Sequence, residues 1–261
     1  METASRARTP RAVARAALAC VATGLAIGLA ACGREAPAPA DTRVAAPAAA
    51  AAARPSGTPP PTVAPAASAP RIVFLGDSLT AGYGIEKSQA IPALVQARLA
   101  REGYPFEVVN AGVSGDTSAG GLSRLDWSLS GDARILVLAL GANDGLRGLP
   151  VTSMRDNLEA IITRAQARGI AVLLVGMEAL PNYGDAYTQE FRDTFSELAR
   201  TYKLAFMPFY LDGVAGNRAL NIADGIHPNP KGAAIVADKL WPILEPLLTA
   251  AAQSPAATGS Q

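Results

Sequence analysis

Arg71-Ile72-Val73-Phe74-Leu75-Gly76-Asp77-Ser78-Leu79-Thr80 joins an apolar, partly β-branched run to a polar turn opened by glycine. Residues 71–75 have the length of a buried strand, and the residues after the turn suit a helix. The pattern recurs along the chain. Apolar runs at 106–110, 134–140, 170–176 and 205–208 also have strand length, and helical stripes separate them. Ile91, Leu94, Val95 and Leu99 share one helical face, with Ser88 as the expected N-cap and Pro92 in the first turn, where an amide hydrogen has no helical partner. Met154, Leu158, Ile161, Ile162 and Ala165 form a second stripe. Phe191, Phe195, Leu198 and Tyr202 form a third, and Ile235, Val236 and Leu240 part of a last one. These positions read as core, and so do Trp127 and Trp241. Strands alternating with helices predict parallel βαβ units in a three-layer α/β sandwich.

Ligands of an open parallel sheet collect outside the carboxyl ends of its strands. Each polar, glycine-containing segment of this chain falls just after such a run. Gly76-Asp77-Ser78-Leu79 follows the first, Asn110-Ala111-Gly112-Val113-Ser114-Gly115-Asp116-Thr117 the second, and Gly141-Ala142-Asn143-Asp144-Gly145 the third. Asp224-Gly225-Ile226-His227-Pro228 lies near the C-terminus. Acyl transfer needs a nucleophile, a base, a group that orients the base, and donors for the oxyanion. His227 is the one histidine in the chain, hence the one imidazole base available. Asp224, three residues earlier, can hold Nδ1–H and leave Nε2 free for Ser78. The backbone amides of Ser78 and Gly115 and the side-chain amide of Asn143 are suitable oxyanion donors. Asp77, Asp116 and Asp144 are expected to brace turns through backbone hydrogen bonds.

In order and spacing these segments resemble the blocks of the SGNH (GDSL) hydrolase superfamily, with Ser78, Gly115, Asn143 and His227 at the four positions of that name. The similarity runs over 71–248. Asn143-Asp144-Gly145-Leu146-Arg147-Gly148 and Leu180-Pro181-Asn182-Tyr183-Gly184 narrow it toward the bacterial thioesterase I / lysophospholipase L1 / arylesterase subfamily. The resemblance implies a flavodoxin-like three-layer sandwich on a five-stranded parallel sheet. It also implies cofactor-free and metal-free hydrolysis of esters or thioesters through an acyl-enzyme. Ala142 departs from the family, where a second glycine is frequent. The loop after Asn143 lines the acyl groove in that subfamily, so Leu146 and Leu149 are expected to touch the acyl chain, with Tyr183 on a second wall. A carbohydrate or peptidoglycan O-acetylesterase is the alternative enzyme, and a non-catalytic binding lipoprotein the alternative outside enzymology. The Gly-x-Ser-x-Gly elbow of α/β-hydrolases is absent from the sequence.

The flanks are of a different kind. Arg6, Arg8, Arg11 and Arg15 precede an apolar run that ends at Leu29-Ala30-Ala31-Cys32. A basic start, an apolar stretch and a small-residue exit describe an export signal. The exit resembles the lipobox of bacterial lipoproteins, which makes residues 1–31 the signal and Cys32 the lipidated N-terminus; Cys20, inside the apolar run, is the poorer candidate. Gly33 follows Cys32, without the Asp that commonly retains lipoproteins in the inner membrane, and this favours the outer one. Residues 32–69 then form an Ala/Pro-rich tether too poor in large apolar residues to fold, 70–249 the hydrolase domain, and 250–261 a loose tail. With cysteine confined to Cys20 and Cys32, the domain has neither disulfide nor thiol nucleophile. The chain has 23 basic and 22 acidic residues; four of the former and one of the latter precede Cys32, so the rest is near −2 and offers nucleic acid no basic field. A single histidine excludes a His-rich metal site. The expected partners are a small acyl ester and, through the lipid, a membrane. Nothing in the sequence demands a second protein chain, so a monomer is expected.

Overall fold

The computed structural model describes residues 69–253. The leader, Cys32, the tether and residues 254–261 lie outside them. Five strands, β1 (Arg71–Gly76), β2 (Glu107–Gly112), β3 (Ala133–Ala139), β4 (Ala171–Val175) and β5 (Ala205–Met207), form one sheet in the order β2-β1-β3-β4-β5. Every neighbouring pair is parallel. This is the flavodoxin-like strand order, whose direction of winding reverses between β1 and β3. Ile72 to Leu75 and Ile135 to Leu138 are fully buried, as strands covered on both faces must be, and so they read in the sequence as continuous apolar runs and not as alternation.

The covering helices are α2 (Ile91–Glu102), α6 (Val151–Ala167), α7 (Asp185–Thr201) and α8 (Pro230–Gln253). Short helices α1 (Ser78–Ala81), α3 (Ser118–Ser123), α4 (Leu125–Ser128) and α5 (Ala142–Leu146) occupy the loops. The stripes on α6 and α7 pack inward, with Met154, Leu158, Ile161, Ile162, Phe191, Phe195 and Leu198 all buried. Burying each such side chain favours folding by about 1.5–3 kcal/mol. Among the described residues no helix is long and apolar enough to cross a membrane.

Three local expectations are corrected. Ala90, not Ser88, is the N-cap of α2. Residues Lys87–Gln89 wind into a 3-10 turn closed by Gln89, whose N–H donates to the Glu86 carbonyl while its side chain accepts from the Glu86 amide. Trp127 is 76% exposed on α4, whereas Trp241 is buried beneath the guanidinium of Arg98. The domain does not stop at 249: α8 runs through Gln253, and Ala251 packs against the core.

Candidate active site

The register of the sheet assembles the site. Gly76 lies opposite Gly112 on one side and Ala139 on the other, so the three loops that follow β1, β2 and β3 leave the sheet at one level. Ser78 is the first residue of α1, where helix geometry leaves the amide without an intrahelical acceptor. Asp77 caps that helix, its Oδ1 accepting from the Leu79 amide at 3.0 Å. Ser78 Oγ lies 2.8 Å from His227 Nε2, and His227 Nδ1 lies 2.6 Å from Asp224 Oδ2. The second carboxylate oxygen of Asp224 accepts from the amides of Ile226 at 2.9 Å and His227 at 3.0 Å. Asp224 therefore fixes both the ring and the backbone that carries it. Ile222 donates to the His227 carbonyl at 2.8 Å, and an antiparallel bridge joins Asn221 to Pro228, closing the loop at its base.

The electrostatics differ sharply between two neighbouring acids. The His227 and Ile226 amides, then the hydrogen bond to the imidazole, lower the Asp224 carboxyl to about 2, so it is a carboxylate wherever the imidazole is neutral. Burial raises Asp77 to about 6, against the opposing pull of the Leu79 amide and of His227. Asp77 is 1% exposed, which accounts for the size of that effect.

Gly115 stands at φ +85, a left-handed conformation that favours glycine, and lines the same cavity as Ser78 and Asn143. Asn143 donates from Nδ2 to the Asp116 carbonyl at 2.9 Å, which holds the amide plane and leaves its second N–H free to point elsewhere. Of the three acids expected to brace turns, Asp77 does so. Asp144 is buried and instead ties loops together, accepting from Ser118 N at 2.8 Å and Ser118 Oγ at 2.6 Å. Asp116 forms an ion pair with Arg124 at 2.6 Å. Among the described residues no group of three or more His, Cys, Asp or Glu side chains could hold a metal ion.

A cavity of about 560 Å³ opens beside Ser78 and is bounded by Leu79, Tyr83, Ala142, Leu146, Met177, Ala179, Leu180, Pro181, Phe209, Leu211 and Ile226. The lining is chiefly apolar; its one acid, Glu178, is paired with Arg192 at 3.5 Å. Leu146 is on the wall as expected. Leu149 and Tyr183 are not. Tyr183 buttresses the loop from behind, donating to the Leu146 carbonyl at 3.1 Å, and the Leu149 carbonyl accepts from Tyr187 at 2.9 Å. The sequence reading missed Tyr83, whose ring lies 4.8 Å from that of His227. It also missed the walls from the ends of β4 and β5, because an apolar residue after a strand carries no sign of which cavity it faces.

Comparison with known proteins identifies the family and the fold. A family model described as the GDSL-like Lipase/Acylhydrolase family matches residues 74–235. Esterase TesA of Pseudomonas aeruginosa is 43% identical over 183 residues, 70% of this chain and 91% of that protein. Thioesterase 1/protease 1/lysophospholipase L1 of Escherichia coli is 35% identical over 184 residues, 70% of this chain and 87% of that one. Among solved structures, psychrotrophic esterase EstA from Pseudoalteromonas sp., inhibited by monoethylphosphonate, superposes with a TM-score of 0.65 at 33% identity, covering 69% of this chain and 98% of that one.

Proposed function

The chain belongs to the GDSL-like lipase/acylhydrolase family and is a serine ester hydrolase, and on that premise we propose that Ser78 is the nucleophile, His227 the base and Asp224 the group that orients the base. The observation that carries this reading is the unbroken line from Ser78 Oγ through the imidazole to the Asp224 carboxylate, at 2.8 and 2.6 Å. His227 Nε2 takes the Ser78 proton as Oγ bonds to the substrate carbonyl carbon. The oxyanion so formed accepts from the amides of Ser78 and Gly115 and from Asn143 Nδ2. His227 then gives its proton to the leaving oxygen or sulfur as that bond breaks, and an acyl-Ser78 remains. Water, deprotonated by the same imidazole, releases the acid and restores the serine.

The substrate is an ester or thioester, lysophospholipids included, with an acyl chain longer than acetyl. An apolar cavity of about 560 Å³ supports this over O-acetyl removal, since a two-carbon acyl group would leave most of it empty. Leu146, Leu180 and Ile226 contact the chain, while Tyr183, and Tyr187 through the Leu149 backbone carbonyl, hold the Leu146 loop in position. Each methylene buried contributes about 0.8 kcal/mol, so kcat/KM rises about fourfold per added methylene until the cavity is full. A p-nitrophenyl ester series from acetyl to dodecanoyl, with Ser78→Ala as control, tests both claims. Activity peaking at acetyl would favour the O-acetylesterase reading, and full activity in Ser78→Ala would remove the nucleophile assignment.

The enzyme is exported and held in the bacterial envelope by an acylated Cys32, on the outer-membrane side, with residues 33–69 as its tether. The basic leader and the Leu29-Ala30-Ala31-Cys32 exit support this. Mass spectrometry of the mature N-terminus tests it: a diacylglyceryl mass on Cys32 is the expected result, and a free N-terminus elsewhere excludes the anchor.

A further inference from the structure

Arg124 follows α3, on no wall of the cavity, yet its guanidinium reaches two segments beside the site at three points. Nε donates to Asp116 Oδ2 at 2.6 Å, one terminal nitrogen to the Ala111 carbonyl at 2.7 Å, and the other to the Gly76 carbonyl at 2.9 Å. The side chain is 18% exposed and that of Asp116 20%, so these bonds are largely shielded from water. Each acceptor lies within four residues of a proposed oxyanion donor. Gly76 ends β1 two residues before Ser78, and Ala111 lies near the end of β2, four residues before Gly115. Asp116 follows Gly115, and its own carbonyl receives Asn143 Nδ2 at 2.9 Å.

We propose that Arg124 is a positioning residue that fixes the Ser78 amide, the Gly115 amide and the Asn143 side chain relative to one another. The inference rests on the assignment of those three groups as the oxyanion hole. A planar guanidinium holds three acceptors in fixed directions at once, which a lysine ammonium, a mobile point charge, does not. Arg124 also neutralises Asp116. Left unpaired, that carboxylate would oppose the negative charge developing on the substrate oxygen nearby. Arg124 touches neither His227 nor Asp224 in any of these contacts, so its effect belongs to transition-state stabilisation and not to the base.

The test is steady-state kinetics of Arg124→Ala and Arg124→Lys in the full chain, with Ser78→Ala beside them, on one p-nitrophenyl ester across pH. By analogy with loss of one oxyanion donor, Arg124→Ala is expected to lose about 10²-fold in kcat, with KM within about twofold and the pH dependence unchanged. Arg124→Lys, which keeps the charge and loses the fork, is expected to lose about tenfold. Added ethylguanidinium should restore part of the kcat of Arg124→Ala, a recovery that a merely structural role does not give. Should Arg124→Ala not fold, Arg124→Lys and Asp116→Asn are read by the same split between kcat and KM. Folded variants whose kcat stays within about threefold of the parent, beside an inactive Ser78→Ala, overturn the inference. A fully active Ser78→Ala instead overturns the site assignment beneath it.

Discussion

Replacing Asp224 by Asn tests the catalytic assignment most sharply, because the structure separates what the change keeps from what it removes. The amide oxygen of Asn can accept from the backbone amides of Ile226 and His227 as Oδ1 does now, at 2.9 and 3.0 Å, so the loop keeps its form. The amide nitrogen would then stand where Oδ2 lies 2.6 Å from His227 Nδ1. Two donors facing each other repel, and the imidazole relieves this by moving its proton to Nε2. That nitrogen then faces Ser78 Oγ with a proton and no lone pair, and cannot act as base. The imidazolium of the transition state also loses its carboxylate, a charge-assisted bond worth about 1.5–3 kcal/mol. Together these predict a fall of about 10³–10⁴ in kcat at neutral pH, or about 4–5.5 kcal/mol of barrier, with KM and melting temperature little changed. Kinetics on p-nitrophenyl butyrate and a thermal melt are sufficient to measure it. A folded variant with kcat within tenfold of the parent would refute the tautomer argument and leave Asp224 as a brace for the loop. Because the carboxyl of Asp224 is lowered to about 2, protonation of Asp224 does not account for a loss of activity at mildly acid pH in the parent.

Leu146→Ser is expected to flatten the dependence of kcat/KM on acyl length, whereas Leu149→Ser, off the cavity wall, is expected to leave it unchanged; equal effects in the ester series would contradict the placement of that loop. Gly112→Ala puts a methyl 2.3 Å from the Ala81 nitrogen and 2.9 Å from the Asp77 carbonyl, both backbone atoms that hold the nucleophile turn. Overpacking of this kind costs about 1–3 kcal/mol, so the melting temperature of a domain of this size should fall by about 2–12 °C together with kcat. An unchanged melt would show that the turn has room. Asp77→Asn keeps an acceptor for the Leu79 amide and removes a buried carboxyl that titrates at about 6 in place of 3.8. The raised value means that the folded state holds this proton more tightly than the unfolded chain. Ionisation is therefore a cost that is absent below pH 3.8, grows as pH rises to 6, and is full above it. The variant should be more stable than the parent at pH 8, by up to about 3 kcal/mol, and no more stable at about pH 3.5. Urea melts at the two pH values check this, and a gain independent of pH would refute burial as the cause.

The two errors in helix and tryptophan placement have one origin. A serine before a helical stripe and a tryptophan in an apolar chain are judged by residue type, while their surroundings belong to the tertiary structure. Ser88 lost the cap because Gln89 and Glu86 close a turn of their own first. Trp127 is exposed because the short α4 directs Leu125 and Ser128 inward in its place.

By itself, the sequence determined the alternation of five strands with helices and the turns after β1, β2 and β3, and it singled out the residues proposed as nucleophile, base and orienter. Those are local signals: apolar run length, glycine and aspartate turn chemistry, and a single histidine with an acid three residues before it. Only the tertiary structure decided that β1 lies between β2 and β3, and this brings Gly115 and Asn143 to opposite sides of Ser78. It also closed 149 residues of chain to put His227 against Ser78, built the apolar cavity partly from the ends of β4 and β5, and aimed Arg124 at two backbone carbonyls and the Asp116 carboxylate. Strand order and side-chain direction depend on how the layers bury their apolar faces against one another, a property of the whole domain that no short stretch of residues contains.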